Sequence, residues 1–183
     1  MENNPSFLVE GENMIFKKPE LEDKKEFLNY VIEAFSNDEP EIPLSYDGHF
    51  EKWIEDVENE RLGISLKEGR VPSTTLFAIV DNEIVGTLSI RHNLNTPYVL
   101  NFVGHIGYNV RCSKRNRGYA KMMLRKGLEE CKKMQIKEVL ITCLESNIAS
   151  RKVIESQGGI YQNKVYYMPS DEYILRFIIQ NSD

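Results

Sequence analysis

The sequence predicts a mixed α/β fold, in which a central twisted mixed sheet of about six to seven strands is flanked by helices. Three observations predict it. Apolar residues recur at helical spacing in four segments, and they alternate or run together in strand-length segments between those helices. The 183 residues are 41% hydrophobic and 28% charged, which suits a globular protein with a real core. The length fits one domain spanning residues 1–183.

The four helices are predicted from their apolar spacing and their end signals. Segments 21–35 and 49–62 each place their apolar residues near one face. Segment 117–134 carries a regular apolar stripe. Segment 147–159 begins at Asn147, a favourable N-cap residue, and ends at two glycines that stop a helix.

The strands are predicted from their alternation and from turn residues. Residues 14–19 form a short strand, and 75–94 read as a hairpin around an Asp-Asn turn. Strand 104–110 follows, and strand 137–144 is apolar on both alternations, which is typical of a central strand covered on both faces. Because a helix connects these last two strands, we expect them to be parallel with a right-handed crossover. Segments 160–168 and 172–179 close the chain as strands.

Charge is distributed unevenly along the chain. The net charge is −5, yet the first 60 residues hold 17 acidic and 5 basic side chains, whereas residues 110–133 hold 9 basic and 2 acidic. This asymmetry indicates either solvated helix faces or two regions that face different ligands, one cationic and one anionic. The net acidity argues against nucleic acid as the main partner.

Other sequence features restrict the protein class. No apolar run approaches the ~18 residues that span a membrane, and the N-terminus lacks the features of a signal peptide. The three cysteines (Cys112, Cys131 and Cys143) are odd in number and follow no metal-ligand spacing. We therefore expect a cytoplasmic protein with no disulfide framework, no metal and no membrane association.

The segment 110–121 predicts an anion site. It contains five basic residues and Gly118, and a helix begins there. The first turn of a helix has unpaired N–H groups and a partial positive charge, and a glycine lets a ligand approach the backbone closely. These features suit a phosphate or pyrophosphate. The glycine motifs of P-loop and Rossmann sites are absent, which disfavours both.

Two motifs carry a resemblance to a known family. "RNRGYA" (115–120) matches Gln/Arg-x-x-Gly-x-Gly/Ala, the phosphate-binding signature of the GNAT acetyltransferases, and "NIASRKVIESQGG" resembles the family's Asn-x-x-Ala/Ser helix. The resemblance covers residues 74–162 well and the earlier residues only by element order. "GHIGYNV" (104–110) further resembles the subgroup that includes ribosomal-protein N-terminal acetyltransferases.

The resemblance implies the GNAT fold, acetyl-CoA as co-substrate and transfer of its acetyl group to a primary amine by direct attack. The pyrophosphate would lie on the amides of residues 115–121, and the pantetheine would run along strand 104–110. A backbone N–H near Val110 is the expected oxyanion donor. The implied coenzyme-binding residues are Tyr108, Val110, Arg115, Asn116, Arg117, Gly118, Tyr119, Ala120, Lys121, Asn147 and Ser150.

The resemblance is less definite about catalytic residues. His105 stands where similar proteins often have a glutamate base, and Glu145 is a weaker candidate. Ile154 stands where a tyrosine usually protonates the leaving thiolate, so another residue or solvent would supply that proton. The tyrosines considered for this role are Tyr161, Tyr166 and Tyr167. Cys112 is expected to be an inert thiol rather than a reactive one.

The acceptor and the oligomeric state stay open. In similar folds the first two helices wall the acceptor pocket, so acidic residues there, Glu39 and Glu41 among them, would attract a cationic amine. The acceptor could be a small-molecule amine or a protein amino group, and the protein a monomer or a homodimer. The alternatives to an enzyme are a non-catalytic acyl-CoA-binding module and, less favoured, a nucleic-acid recognition helix.

Overall fold

The computed structural model describes residues 13–39 and 46–181, so the predicted role of Glu41 lies outside the described residues. All the predicted helices and strands are present in the predicted order. They are β1 (Ile15–Lys17), α1 (Lys24–Ser36), α2 (Phe50–Leu62), β2 (Ser73–Val80), β3 (Glu83–Arg91), β4 (Ile106–Val110), α3 (Tyr119–Lys133), β5 (Glu138–Leu144), α4 (Ile148–Ser156), β6 (Ile160–Tyr167) and β7 (Glu172–Gln180).

The described strands form two hydrogen-bonded sheets, in the orders β1-β2-β3-β4 and β5-β7-β6, and every pair within them is antiparallel. Within the described residues no hydrogen-bonded ladder joins β4 to β5, so the parallel arrangement of these two strands stays a prediction. Gly104, two residues before β4, forms an isolated bridge with Ile141 of β5, and the pattern of this bridge is antiparallel. Gly104 has a φ of +72°, and a Cβ there would lie 2.5 Å from the Leu140 carbonyl oxygen. The backbones meet at this glycine and form no ladder beyond it.

The hydrophobic core lies in two clusters. The larger one joins the strands to α3 and α4 and includes Leu88, Met123 and Ile154. The smaller one is largely aromatic and packs α1 and α2 on β2, with the Phe27 and Trp53 rings stacked 4.5 Å apart between centroids. Fully burying one such side chain stabilises the fold by about 1.5–3 kcal/mol. The two clusters hold helices on both sides of the strands.

Helix α3 is seated closely on β4. Gly127 faces Ile106, and a Cβ at Gly127 would approach the Ile106 side chain to 2.9 Å. The predicted apolar stripe of α3 is confirmed, because Met123, Leu124 and Cys131 are fully buried. This packing places the first turn of α3 beside the carboxyl end of β4.

Candidate functional site

A groove of about 990 Å³ opens where β4 ends and where α3 and α4 begin. Ten of the eleven predicted coenzyme-binding residues line it, and Arg117 does not. The predicted lining residues are Tyr108, Val110, Arg115, Asn116, Gly118, Tyr119, Ala120, Lys121, Asn147 and Ser150. The remaining lining residues are Asp38, Glu39, Asn109, Lys114, Ile148, Ala149, Lys152 and Val153. Four of these eight residues, Asn109, Lys114, Ile148 and Ala149, are chain neighbours of the predicted ones, and this adjacency is the sequence signal for them.

The start of α3 forms the anion-binding end of the groove. Gly118 adopts a left-handed conformation with a φ of +80°, and a Cβ there would meet nothing within 4 Å. The turn following it is closed by hydrogen bonds from the N–H groups of Lys121 and Met122 to the Gly118 carbonyl oxygen. The first turn of a helix generally offers N–H donors that have no intrahelical acceptor, together with a partial positive charge, so this end of the groove is suited to an anion.

The edge of β4 supplies a second set of backbone groups. Arg91 N–H donates to the His105 carbonyl at 2.8 Å, and Arg111 N–H donates to the Val85 carbonyl at 2.9 Å, so the odd-numbered residues of this segment bond to β3. In an antiparallel pair the intervening residues turn their backbone groups to the other edge. The N–H groups of Tyr108 and Val110 therefore face the gap between β4 and β5.

The start of α4 forms the opposite wall. The Asn147 side chain accepts a hydrogen bond from Ser150 N–H at 2.9 Å, which confirms the predicted N-cap. The Ser150 hydroxyl in turn lies 3.0 Å from the Tyr108 hydroxyl, so a hydroxyl pair bridges α4 and β4. Burial raises the pKa of Tyr108 to about 12, which keeps this phenol protonated at neutral pH.

The acidic and basic regions of the chain face each other. Arg111 donates to Glu26 at 2.7 Å and to Glu33 at 2.6 Å, both on α1. Arg115 pairs with Glu39 at 2.5 Å. Lys114 pairs with Glu83. Neither interpretation of the charge asymmetry is sufficient, because much of it is neutralised inside the protein.

Two lysines of α3 and α4 add positive charge to the groove. Lys121 and Lys152 line the groove, and neither forms an ion pair with any residue in 13–39 or 46–181. Lys121 is in the first turn of α3, and Lys152 is in α4. They add formal positive charge to the N–H donors of the helix start, which strengthens the case for an anionic ligand.

His105 is held away from the groove lining. It is 8% exposed, and its Nδ1 accepts a hydrogen bond from Leu140 N–H at 3.0 Å. The neutral ring must then carry its proton on Nε2, which leaves no free lone pair for a base. Burial and then the charge of Arg91 lower the pKa of His105 to about 4. The base role of His105 stays a prediction, and this geometry opposes it.

The other acid–base candidates also lie elsewhere. Glu145 accepts a hydrogen bond from Lys164 at 2.9 Å and is not part of the groove lining. Ile154 is fully buried. The three tyrosines on β6 do not line the groove either. Burial and a contact with Glu39 raise the pKa of the Cys112 thiol, which agrees with an inert cysteine.

Comparison with known proteins identifies the family. A profile of the acetyltransferase (GNAT) family matches residues 26–158. The chain belongs to this family. A search of curated proteins finds no significant match. In the part of the GNAT chain that the structure describes, no helix is both long and apolar enough to cross a bilayer. Within the same residues, no three His, Cys, Asp or Glu side chains converge on a metal-sized site.

Solved structures share the GNAT fold at low sequence identity. The ribosomal-protein-S5-alanine acetyltransferase from Vibrio fischeri is 18% identical, with a TM-score of 0.69 over 95% of this chain and 96% of that one. RimJ from Mycobacterium smegmatis, in complex with CoA-disulfide, is 19% identical, with a TM-score of 0.69 over 91% and 81%. The Salmonella typhimurium protein yncA, determined with acetyl-CoA, is 10% identical, with a TM-score of 0.64 over 93% and 95%.

Proposed function

We propose that this GNAT protein transfers the acetyl group of acetyl-CoA to a primary amine by direct attack. One observation carries the proposal: the first turn of α3 and the β4 edge that faces away from β3 line the same groove. An anion-binding turn at one end and unpaired strand amides along one wall suit a pyrophosphate joined to an amide-containing arm. Relatives of the same fold were determined with acetyl-CoA or a CoA derivative.

The residues would hold the co-substrate in three ways. The N–H groups of residues 116–120 would donate hydrogen bonds to the pyrophosphate oxygens, with Lys121 and Lys152 as counter-charges. The backbone of Tyr108 and Val110 would bond the pantetheine amides. The Val110 carbonyl already accepts a hydrogen bond from Arg115 Nε at 3.2 Å. The Val110 N–H, rather than its carbonyl, would therefore bond the pantetheine.

The transfer step needs a proton donor for the leaving thiolate. The amine nitrogen attacks the thioester carbonyl carbon, a C–N bond forms, the C–S bond breaks, and the amine loses one proton to water. We assign protonation of the thiolate to the Tyr108 hydroxyl, which Ser150 reprotonates from solvent. The high pKa of Tyr108 guarantees its protonated form, and Ile154 leaves α4 without a phenol at the usual position.

Calorimetry with acetyl-CoA and a CoA-release assay test this function. Acceptors would include small amines and peptides beginning with alanine, because one structural relative is named for the alanine of a ribosomal protein. Tyr108→Phe is expected to lower kcat about 10- to 100-fold and to leave the acetyl-CoA Kd nearly unchanged. Tyr166→Phe removes an exposed phenol on β6 and serves as the matched control. Absence of acetyl-CoA binding would refute the function.

A non-catalytic acyl-CoA-binding module is the second candidate. It is favoured by the engaged Nδ1 of His105 and by Ile154, which leave the usual base and acid positions without reactive groups. Binding of acetyl-CoA without turnover on any acceptor would favour the module over the enzyme.

A further inference from the structure

Arg91 lies beside β4 and pairs with no carboxylate of residues 13–39 or 46–181. Arg91 ends β3, and its backbone N–H bonds to the carbonyl of His105 at the beginning of the β4 segment. A Cβ built on Gly107 would lie 3.5 Å from Arg91 Nη1 and 3.6 Å from Nη2. The guanidinium therefore rests against the backbone of β4 at a residue with no side chain.

The guanidinium lies on the α1 and α2 side of β4. Side chains alternate along a strand, and Tyr108 points to α4 through its contact with Ser150. Its neighbours Gly107 and Asn109 face the other way, and the Asn109 side chain accepts a hydrogen bond from Tyr30 of α1 at 3.3 Å. Arg91 and the groove thus lie on opposite faces of the same strand.

The Arg91 guanidinium has few polar contacts in the described part of the chain. Within the described residues its guanidinium donates one hydrogen bond, from Nη1 to the Gly104 carbonyl at 3.3 Å, and forms no ion pair. The carboxylate that influences it, Glu60, is paired with Arg70 at 3.5 Å and accepts a hydrogen bond from Ser73 at 3.0 Å. Burial and then the charge of Arg70 lower the pKa of Arg91 to about 10.

A half-buried arginine that gives one of its five N–H donors to the described residues is suited to bind an anion. Removing a charge from water is unfavourable unless a partner compensates it, and none of the described residues does. His105, opposite Arg91, carries its proton on Nε2, so it adds no negative charge to this neighbourhood. A guanidinium recognises a carboxylate through two parallel hydrogen bonds.

The location relates this anion to the transferred acetyl group. A strand rises about 3.3 Å per residue, so Gly107 and the Val110 amide lie within about 10 Å along β4. If acetyl-CoA is bound in the groove with its thioester in the gap beside β4, the thioester lies close to Arg91. An acceptor held by Arg91 would then need its amine within about 10 Å of its own carboxylate, as it is in amino acids and short peptides.

We propose that Arg91 binds the carboxylate of the acceptor, and that the acceptor is a small amino-acid-like amine. This inference rests on the proposed acetyltransferase function and names its substrate class. The carboxylate would pair with the guanidinium on the α1 and α2 side, and the amine would reach the thioester through the gap at β4. Arg91 is then a specificity-determining residue.

Matched acceptors test the inference directly. Free amino acids and short dipeptides are assayed beside their C-terminal amides, with Arg91→Gln, Arg91→Lys and the control Arg61→Gln, an exposed arginine of α2 paired with Glu58. The wild type should prefer each acid to its amide by at least about tenfold in kcat/KM. Arg91→Gln should raise KM for the acids by about 10- to 100-fold, with KM for the amides and the acetyl-CoA Kd unchanged.

Each outcome separates this inference from the proposed function. Turnover with equal use of acids and amides, or an equal loss of both in Arg91→Gln, would overturn the role of Arg91 alone. If no acceptor is turned over, the same pairs are titrated calorimetrically with CoA present, and equal affinity for acid and amide overturns the inference. If Arg91→Gln fails to fold, Arg91→Lys keeps the charge without the planar fork and should lose part of the preference for acids.

Discussion

Glutamate substitutions at Gly118 and Gly158 provide a controlled test of the anion site. The two glycines have φ values of +80° and +85°, and a Cβ at either would meet nothing within 4 Å. A residue with a side chain in this conformation costs about 1–2 kcal/mol at either place. We therefore expect Gly118→Glu and Gly158→Glu to lower the unfolding temperature by similar amounts, roughly 2–8 °C.

Only the substitution at Gly118 should weaken acetyl-CoA binding. A carboxylate about 5 Å from a phosphate is repelled by about 1 kcal/mol at the dielectric constant of water and by about 3 kcal/mol at an effective value of about 20. These energies correspond to a roughly 5- to 150-fold rise in Kd. Calorimetry of both variants at low and high salt measures this, because added salt should reduce the difference.

Two outcomes of this experiment would contradict the predicted anion site. If Gly118→Glu binds acetyl-CoA as tightly as the wild type, or if Gly158→Glu loses as much affinity, the pyrophosphate does not lie at the start of α3. Equal changes in unfolding temperature without a difference in Kd would then show that Gly118 serves backbone geometry alone.

Three further predictions concern buried and paired charges. The pKa of His105 is about 4 in the folded protein against an ordinary value of 6.5, so the unfolded chain binds this proton more readily. Stability should fall by up to about 3 kcal/mol as the pH drops through that interval, and urea unfolding of His105→Gln should lack this loss. Arg111→Ala leaves two carboxylates of α1 unpaired and should cost about 2–3 kcal/mol in denaturant unfolding, more than Arg111→Met. Glu39→Gln releases a groove-lining arginine and should tighten acetyl-CoA binding about 2- to 5-fold at low salt, as measured by calorimetry.

The elements and much of the groove could be predicted from local patterns. The helix stripe ending at Cys131, the cap at Asn147 and the loop glycine at 118 are signals within a turn or two of the chain, and the structure places each where it was expected. Nothing in the sequence distinguishes Arg117, which does not line the groove, from its neighbours that do. A loop motif alone does not show which of its side chains face the ligand. Lys152 lies within the quoted segment 147–159 but at neither of its motif positions, Asn147 and Ser150, so the motif does not single it out.

The sequence by itself determined which segments are helices and strands, because periodicity, caps and turn residues act over a few residues. It also determined that positive charge gathers where α3 begins. Only the tertiary structure decided how those charges are used. Glu26 and Glu33 lie 85 and 78 positions before the arginine that they bind, and the Nδ1 atom of His105 is engaged by a backbone N–H from another strand. Such contacts depend on how distant elements pack, which no local pattern contains.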